Sequence, residues 1–503
     1  MDFKAKLIAI EQGVNEVVLN AQEASELGWD LSDRVVVTAN GRPETALVDH
    51  AEGMVKRGEI GLFDELAKAL GVKDGDIISA EKAPLPASLD YIRKKLDGEI
   101  LGEKEIATII SDVMSQKLSN AELASFVSAI YANGMTTDET AFLTKVIIES
   151  GDILEPPVHP VASEHSIGGV AGGRSSMILV PIISSLGICV PKTASRAISS
   201  ACATADAMEV LAPVSLSLEK IKQVLLKANA CIVWGGAVNI AAADDKLIQI
   251  RRPLRLDPQA LLVSSILAKK KAEGAQFVVF DIPVGRGAKV PNLDKGRELA
   301  RSFEVLAAKI GIKVVSTLTD GSEPLLSTIG PALEARAVLE ILRSNGKTNE
   351  TALLEKACMA SGVLLQAIRG VSREEGYNLA RHQVESGRAY EKMRQIIAAQ
   401  GGNPDLKPED IEIGKFRKSI FSEVRGRVAH IDNPAISRIV RALGAPRDKK
   451  AGMILKVKKG TVVEQGEELF QLVASTEENL ARGFETAKRV PLIESERIVL
   501  EVV

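Results

Sequence analysis

Two apolar runs rich in β-branched residues, QFVVFDI at 276–282 and IKVVSTL at 312–318, are each followed by a glycine-bearing loop and then by a long helical pattern. Strand, loop and helix in alternation is the order of an α/β domain with a buried sheet. Such a sheet also fixes where chemistry happens, because ligands collect beyond the carboxyl ends of its strands. The loops PVGRGAK and TDGSEP stand at those ends. Lys289, in the first loop, is either a ligand for an anion or a solvated surface lysine.

Residues 165–187 read HSIGGVAGGRSSMILVPIISSLG, with glycines at 168, 169, 172 and 173 directly before an apolar run. Glycine permits positive φ and close backbone approach, and the following helix offers free N–H groups and the positive end of its dipole. The loop can cradle an anion, phosphate above all, with Arg174 and Ser175 or Ser176 adding charge and hydroxyls. An ordinary connection is the plain alternative. A second cluster follows in PKTASRAISSACATAD, 191–206, where Thr193, Ser195, Ser199, Ser200 and Thr204 surround Arg196. Several short donors and one guanidinium suit an oxyanion, although a Ser/Thr-capped helix start has the same composition. Further on, RRPLRLDPQALLVSSILAKKKA sets Asp257 before a proline at a helix start, with Ser264, Ser265 and Lys269 beyond it. An acid there is by default a cap, and a proton-donor role asks for burial or a neighbouring anion.

The first 80 residues carry an internal repeat. ASELGWDLSDRVVV from Ala24 and AKALGVKDGDIISA from Ala67 align with Gly28 on Gly71 and Asp33 on Asp76. Duplication at this scale suggests a small pseudo-symmetric β-barrel, each copy giving a short helix ended by Gly, a turn at Asp and a strand. Two prolines in KAPLPASLD read as a linker, and from 90 to 151 the spacing is helical, with Ser119-Asn120 and Thr136 as start signals. From about Ile411 the chain turns β-rich again. A chain of 503 residues exceeds one hydrophobic core. The expected organisation is multi-domain α/β. It comprises an N-terminal β-barrel (1–84), a helical subdomain (85–158, joined by part of 240–272), a central α/β domain for phosphate and nucleotide (159–410) and a C-terminal β-rich α+β domain (411–503).

A formal charge of −3 without long like-charge runs advertises neither a nucleic-acid nor an anionic-membrane surface, and 3% aromatics leaves few rings for stacking bases. The four cysteines form no CxxC pair and the five histidines no HExxH spacing, which points to buried thiols, a reducing compartment and no zinc site. The N-terminus lacks the basic start, apolar core and cleavage site of a secretory leader, and no apolar run is long enough to span a bilayer, so a cytoplasmic protein is expected.

The segments HSIGGVAGGRSS, PKTASRAISSACATADAMEVLAPV, CIVWGGAVNIAAADD, SSILAKKKAEGAQFVVFDIPVGRGAKV and IGPALEA, in this order, resemble the thymidine and pyrimidine-nucleoside phosphorylase superfamily. SRAIS, WGGA and LDP are similar to its archaeal AMP phosphorylase branch, which the N-terminal repeat also fits. The resemblance implies a pentosyltransferase that takes AMP, and in the branch CMP or UMP, plus phosphate to free base and ribose 1,5-bisphosphate. Carried over by position, it implies substrate binding by Gly169, Ser195, Arg196, Ala197, Ile198, Ser199, Ser200, Thr204, Ser265 and Lys289. Asp257 becomes the proton donor, kept neutral by apolar neighbours such as Leu256 and Pro258. It further implies no metal or organic cofactor, a homodimer or larger homo-oligomer, and a cleft between the helical and α/β parts. Departures from the pattern fall at Glu164, where relatives carry a phosphate-binding lysine, and at Ala171, Gly173, Ala194 and Ala203. A carboxylate about 4 Å from phosphate costs roughly 4 kcal/mol per unit charge at an effective dielectric near 20, so Glu164 is expected to point elsewhere. A pyrimidine-nucleoside phosphorylase for thymidine or uridine, and a non-catalytic nucleotide-binding relative, remain alternatives.

Overall fold

The computed structural model describes residues 1–197 and 200–496. The chain divides into two compact units, residues 1–152 with 241–268, and residues 153–240 with the chain from 269 onward.

Unit 1 opens with six strands: β1 (Asp2–Ile8), β2 (Glu16–Asn20), β3 (Arg34–Ala39), β4 (Arg42–Ala51), β5 (Glu59–Phe63) and β6 (Ile77–Lys82). They close into a barrel in the order β1-β5-β2-β4-β3-β6. The sequence repeat reappears as repeated geometry. Helices Ala21–Leu27 and Asp64–Leu70 end on Gly28 and Gly71, both at φ 65 and ψ 36, a left-handed cap that a residue lacking Cβ adopts at least cost. After each cap an aspartate closes the turn: Asp33 Oδ2 accepts the Asp30 N–H at 2.8 Å, and Asp76 Oδ2 accepts the Lys73 N–H at 2.7 Å. Leu19, Val35, Val48, Ile60, Leu62 and Leu66 fill the barrel core.

Helices Ser88–Leu96, Glu103–Met114, Asn120–Asn133 and Thr137–Glu149 follow, and Ala242–Leu254 with the first part of Gln259–Ala272 returns to the same unit. Ser119 and Thr136 each accept the N–H of the glutamate three residues on, and that glutamate accepts theirs in return. These reciprocal caps satisfy two otherwise orphaned donors at each helix start.

Unit 2 is built on five parallel strands: β7 (Ala162–Ser166), β8 (Val190–Ala194), β9 (Ala230–Trp234), β10 (Phe277–Val284) and β11 (Lys313–Asp320). β10 pairs with both β7 and β11, β8 pairs with β9, and a bridge between Val161 and Cys189 joins the two sets. The spatial order β11-β10-β7-β8-β9 makes the winding reverse between β7 and β10. A crevice at such a reversal is where α/β sheets bind ligands. β10 and β11 run on to Val284 and Asp320, and they bring Asp281, Thr319 and Asp320 toward the carboxyl edge.

Helix Ser175–Ser185 is buried on all its faces, which explains its lack of a polar stripe. Its Met177, Ile178 and Ile182 share one continuous core with Leu364 and Leu365 of helix Thr351–Arg369 and with Ile436, Ile439 and Leu472 of the C-terminal part. Thr351–Arg369 is long and apolar enough to cross a membrane by composition, yet over half of its apolar window is packed inside the unit. The C-terminal part holds a four-stranded sheet (Thr328–Ile329, Gly452–Leu455, Glu468–Ala474, Phe416–Phe421) and a three-stranded one (Val462–Val463, Gly426–Ile431, Ile493–Glu496). Helices Asn433–Ala442 and Glu477–Arg489 complete it.

Candidate active site

From Ser166 at the end of β7, the chain turns through 167–174 into helix Ser175–Ser185. Gly169 sits at φ 94, and a Cβ there would stand 2.8 Å from the backbone nitrogen of Lys289. Gly172 sits at φ 68, where a Cβ would come within 2.8 Å of the Leu326 nitrogen. The glycine loop is therefore pressed against the loops that follow β10 and β11, at the reversal point. Two residues singled out in the sequence, Gly169 and Lys289, meet there, both open to solvent.

Beneath the loop lies a buried polar network. Asp281 Oδ2 accepts from Ser166 Oγ at 2.7 Å and stands 2.8 Å from Lys356 Nζ, while its Oδ1 accepts from Thr319 Oγ1 at 2.6 Å. Ser166 Oγ in turn accepts the Gly168 N–H at 3.3 Å. Sequence reasoning passed over this group, although an aspartate inside the apolar run QFVVFDI was a usable signal. Next to it, burial pushes the His165 imidazole well below its ordinary value, and the ammonium groups of Lys192, Lys270 and Lys289 push the same way.

Glu164 does point away from the loop's solvent face. It is 1% exposed, its Oε2 accepts from Ser176 Oγ at 2.5 Å, and Lys192 Nζ stands 3.4 Å from the same oxygen. The Lys192 ammonium also donates to the Glu164 carbonyl at 2.6 Å. Ser176 is thereby spent on Glu164. Arg174 is committed too, which corrects its expected part in anion binding. Its Nε lies 2.6 Å from Glu334 Oε2 and its other nitrogens donate to Cys202 O and Thr204 Oγ1 at 3.2 and 3.3 Å. It ties the cradle to helix Pro331–Arg343 and faces no open space.

The second hydroxyl-rich cluster is arranged around carboxylates. Asp206, 2% exposed, accepts the backbone N–H groups of Ala197 and Ala203 at 2.8 and 3.0 Å, so it shapes the turn as a bound anion would. Arg196 donates to Glu209 at 2.6 Å, lies 3.7 Å from Asp206 and stacks 4.8 Å from the Trp234 ring centre. Its guanidinium holds the Glu209 carboxyl down at about 2. Lys449, from the C-terminal part, closes the cluster at 2.8 Å from Glu209 and 3.4 Å from Asp206. Ser195 and Ser200 are exposed, and Ser200 Oγ donates to Cys202 O at 3.2 Å. Ile198 and Ser199 lie outside the described residues.

The remaining two residues belong to unit 1. Ser265, on helix Gln259–Ala272, is buried and donates to Asp244 Oδ2 at 2.6 Å. Asp257 lies just before that helix with its side chain 61% exposed and Oδ1 3.2 Å from Arg251. The apolar surroundings expected from Leu256 and Pro258 are not what it has: the Arg255 cap turns the chain so that the carboxylate faces water and a guanidinium.

Family models match most of the chain. The helical bundle domain of the glycosyl transferase family covers residues 89–151, the a/b domain of that family 159–390, and the pyrimidine nucleoside phosphorylase C-terminal domain 427–491. Fold and matches define the class, a glycosyl transferase with a nucleoside-phosphorylase C-terminal domain. AMP phosphorylase of Methanococcus maripaludis strain C6 is 41% identical over 99% of this chain and 98% of its own. That of Pyrococcus furiosus is 42% identical over 100% and 99%, and AMP phosphorylase 1 of Archaeoglobus fulgidus 40% identical over the same shares. The chain belongs to the AMP phosphorylase family. Among solved structures, anthranilate phosphoribosyltransferase from Thermus thermophilus aligns with a TM-score of 0.51 at 18% identity, covering 62% of this chain and 99% of that one. The Saccharomyces cerevisiae enzyme gives 0.52 at 15%, covering 62% and 98%. At such identity the likeness concerns the fold alone.

Proposed function

We propose that this chain is an AMP phosphorylase, converting AMP and phosphate to adenine and ribose 1,5-bisphosphate. The full-length likeness to three AMP phosphorylases carries this reading. The glycine loop pressed on Lys289 at the sheet reversal adds an anion cradle in the position an α/β fold uses for one.

In the reaction a phosphate oxygen forms a bond to C1′ of the ribose as the N-glycosidic bond breaks, and the bond pair leaves with the base. Positive charge grows on the sugar and negative charge on the base. The held phosphate offsets the first and a proton delivered to the base offsets the second. The backbone N–H groups about Gly169, with Lys289, are assigned to an anion. The turn carrying Ser195, Arg196, Ala197, Ser200 and Thr204 is assigned to the nucleotide, and binding there exchanges Glu209 for a phosphate at Arg196. From unit 1 the reading takes Ser265 as a substrate contact and Asp257 as the proton donor. Asp257 then has to exchange Arg251 and water for the leaving base before it can serve as an acid.

CMP and UMP are proposed as further substrates, a homodimer or larger homo-oligomer as the working form, and the cytoplasm as the location. Four free, buried thiols suit a reducing compartment. The test is chromatographic detection of free adenine from AMP with and without phosphate, beside adenosine and CMP. Phosphate-dependent release from AMP, with adenosine at least about tenfold poorer in kcat/KM, is the expected result. AMP binding without base release would replace this reading by the non-catalytic one.

A further inference from the structure

The loops that follow β7, β10 and β11 all meet the start of helix Asn433–Ala442. Asn433 is 2% exposed. Its Oδ1 accepts the Ala171 N–H at 2.9 Å, and its Nδ2 donates to Gly321 O at 3.1 Å. The next residue, Pro434, brings Cδ within 3.2 Å of where a Cβ on Gly287 would lie. The Ala171 carbonyl accepts the Leu325 N–H at 3.0 Å, so both polar groups of Ala171 are held from outside the loop.

A loop whose glycines at 168, 169, 172 and 173 contribute no side chains has little with which to fix its own shape. Its conformation has to be imposed by neighbours. A side-chain amide suits the position because it offers an acceptor and a donor together on a short stem. An aspartate would turn an oxygen toward Gly321 O with no proton between, and an alanine would leave both backbone groups without a partner. The bond to Ala171 also links the cradle to a residue far along the chain, in the C-terminal part.

We propose that Asn433 is a positioning residue for the phosphate cradle: by holding Ala171 and Gly321 together it sets the backbone N–H groups of 167–174 for phosphate, and the C-terminal part thereby determines phosphate affinity. The inference rests on the phosphorolytic reading for its ligand. The experiment compares full-length wild type, N433A and D432A. Asp432 caps the same helix by accepting the Ala435 N–H at 2.5 Å, with its other oxygen 4.0 Å from His430 Nε2, so D432A removes the cap while keeping the Asn433 amide. Inorganic phosphate binding is measured by titration calorimetry, KM for phosphate and for AMP by adenine release, and the Ala171 amide by hydrogen exchange. N433A is expected to weaken phosphate binding and raise its KM about tenfold or more. AMP KM stays within about threefold, and Ala171 exchanges at least about tenfold faster. Unchanged phosphate affinity in folded N433A overturns the proposal, as does an equal loss in D432A. If wild type binds phosphate yet releases no adenine, the phosphorolytic reading fails while calorimetry still decides the role of Asn433.

Discussion

Replacing Gly169 by alanine tests whether the loop geometry governs the chemistry. The backbone there lies at φ 94, and the new Cβ would stand 2.8 Å from Lys289 N and 3.4 Å from both Ala288 Cα and Lys289 Cγ. The first separation falls about 0.7 Å short of ordinary carbon contact near 3.5 Å, and the obstructing atom is backbone. It cannot swing aside, because the Gly285 N–H is bonded to Val290 O at 3.0 Å and the Ala288 N–H to Gly285 O at 3.2 Å. The left-handed backbone itself costs an alanine about 1–2 kcal/mol. The cradle and Lys289 must separate by a large fraction of an ångström, and a misplacement of about 1 Å at a reacting centre costs on the order of a hundredfold in rate. Gly187 supplies the control: it sits at φ 87 with nothing within 4 Å of its Cβ position. G187A bears the backbone cost without the collision. Both variants should melt a few degrees early, in line with about 2–4 °C per kcal/mol for large domains, but only G169A should lose phosphate-dependent adenine release. A G169A enzyme within about threefold of wild type in kcat/KM for phosphate would refute the reasoning.

Other substitutions test separate links. D257N should lower kcat on AMP by about 10²–10⁴-fold with little change in AMP KM, the range for removal of a general acid; near-full turnover in a steady-state assay would end its assignment. Lys270 is buried, its ammonium lowered to about 8 chiefly by burial, and it bonds Glu273 at 2.8 Å. K270M leaves that carboxylate buried without its partner, and denaturant unfolding should show a loss of about 3–5 kcal/mol; a loss under about 1 kcal/mol would mean that Ser163 and Thr193 suffice for Glu273. Because the folded-state pKa of His165 lies below its ordinary 6.5, the unfolded chain takes up this proton first. Its contribution to stability is whole above pH 6.5 and falls by up to about 1.4 kcal/mol per pH unit below it. H165Q should flatten the decline in urea midpoint between pH 7.5 and 5.5, and an unchanged slope would show that other groups set it.

The architecture was legible where local chemistry and burial agree. The Gly28 and Gly71 caps, the Asp33 and Asp76 turns and the Ser119 and Thr136 capping boxes are each decided within four residues, so short stretches of sequence contain them. Strand β10 was legible because a strand covered on both faces is apolar along its length, and the half-buried β11 because it is rich in β-branched residues. Asp281 was not, since it interrupts the apolar run of β10 for reasons that arise only when Ser166 of β7 and Lys356 of helix Thr351–Arg369 arrive beside it.

The site was legible as a set of residue types and much less as a distribution of charge. Arginine beside serines reads as an anion site whether or not a carboxylate from elsewhere already occupies it. Here Arg174 is met by Glu334, Lys192 by Glu164, Arg196 by Glu209 and Lys356 by Asp281. Only Glu209, 13 residues from Arg196, and Glu164, 28 from Lys192, are near in sequence. These pairs hold the turns in shape while contributing little net charge to a ligand. Among the described residues Lys289 has no such carboxylate, and it lies against Gly169. On the proposed reading, attraction for the incoming phosphate rests on that ammonium and on neutral N–H donors whose direction the glycines allow. Such donors are strong only when pre-aligned, so the affinity of this cradle depends on the neighbours that fix its shape.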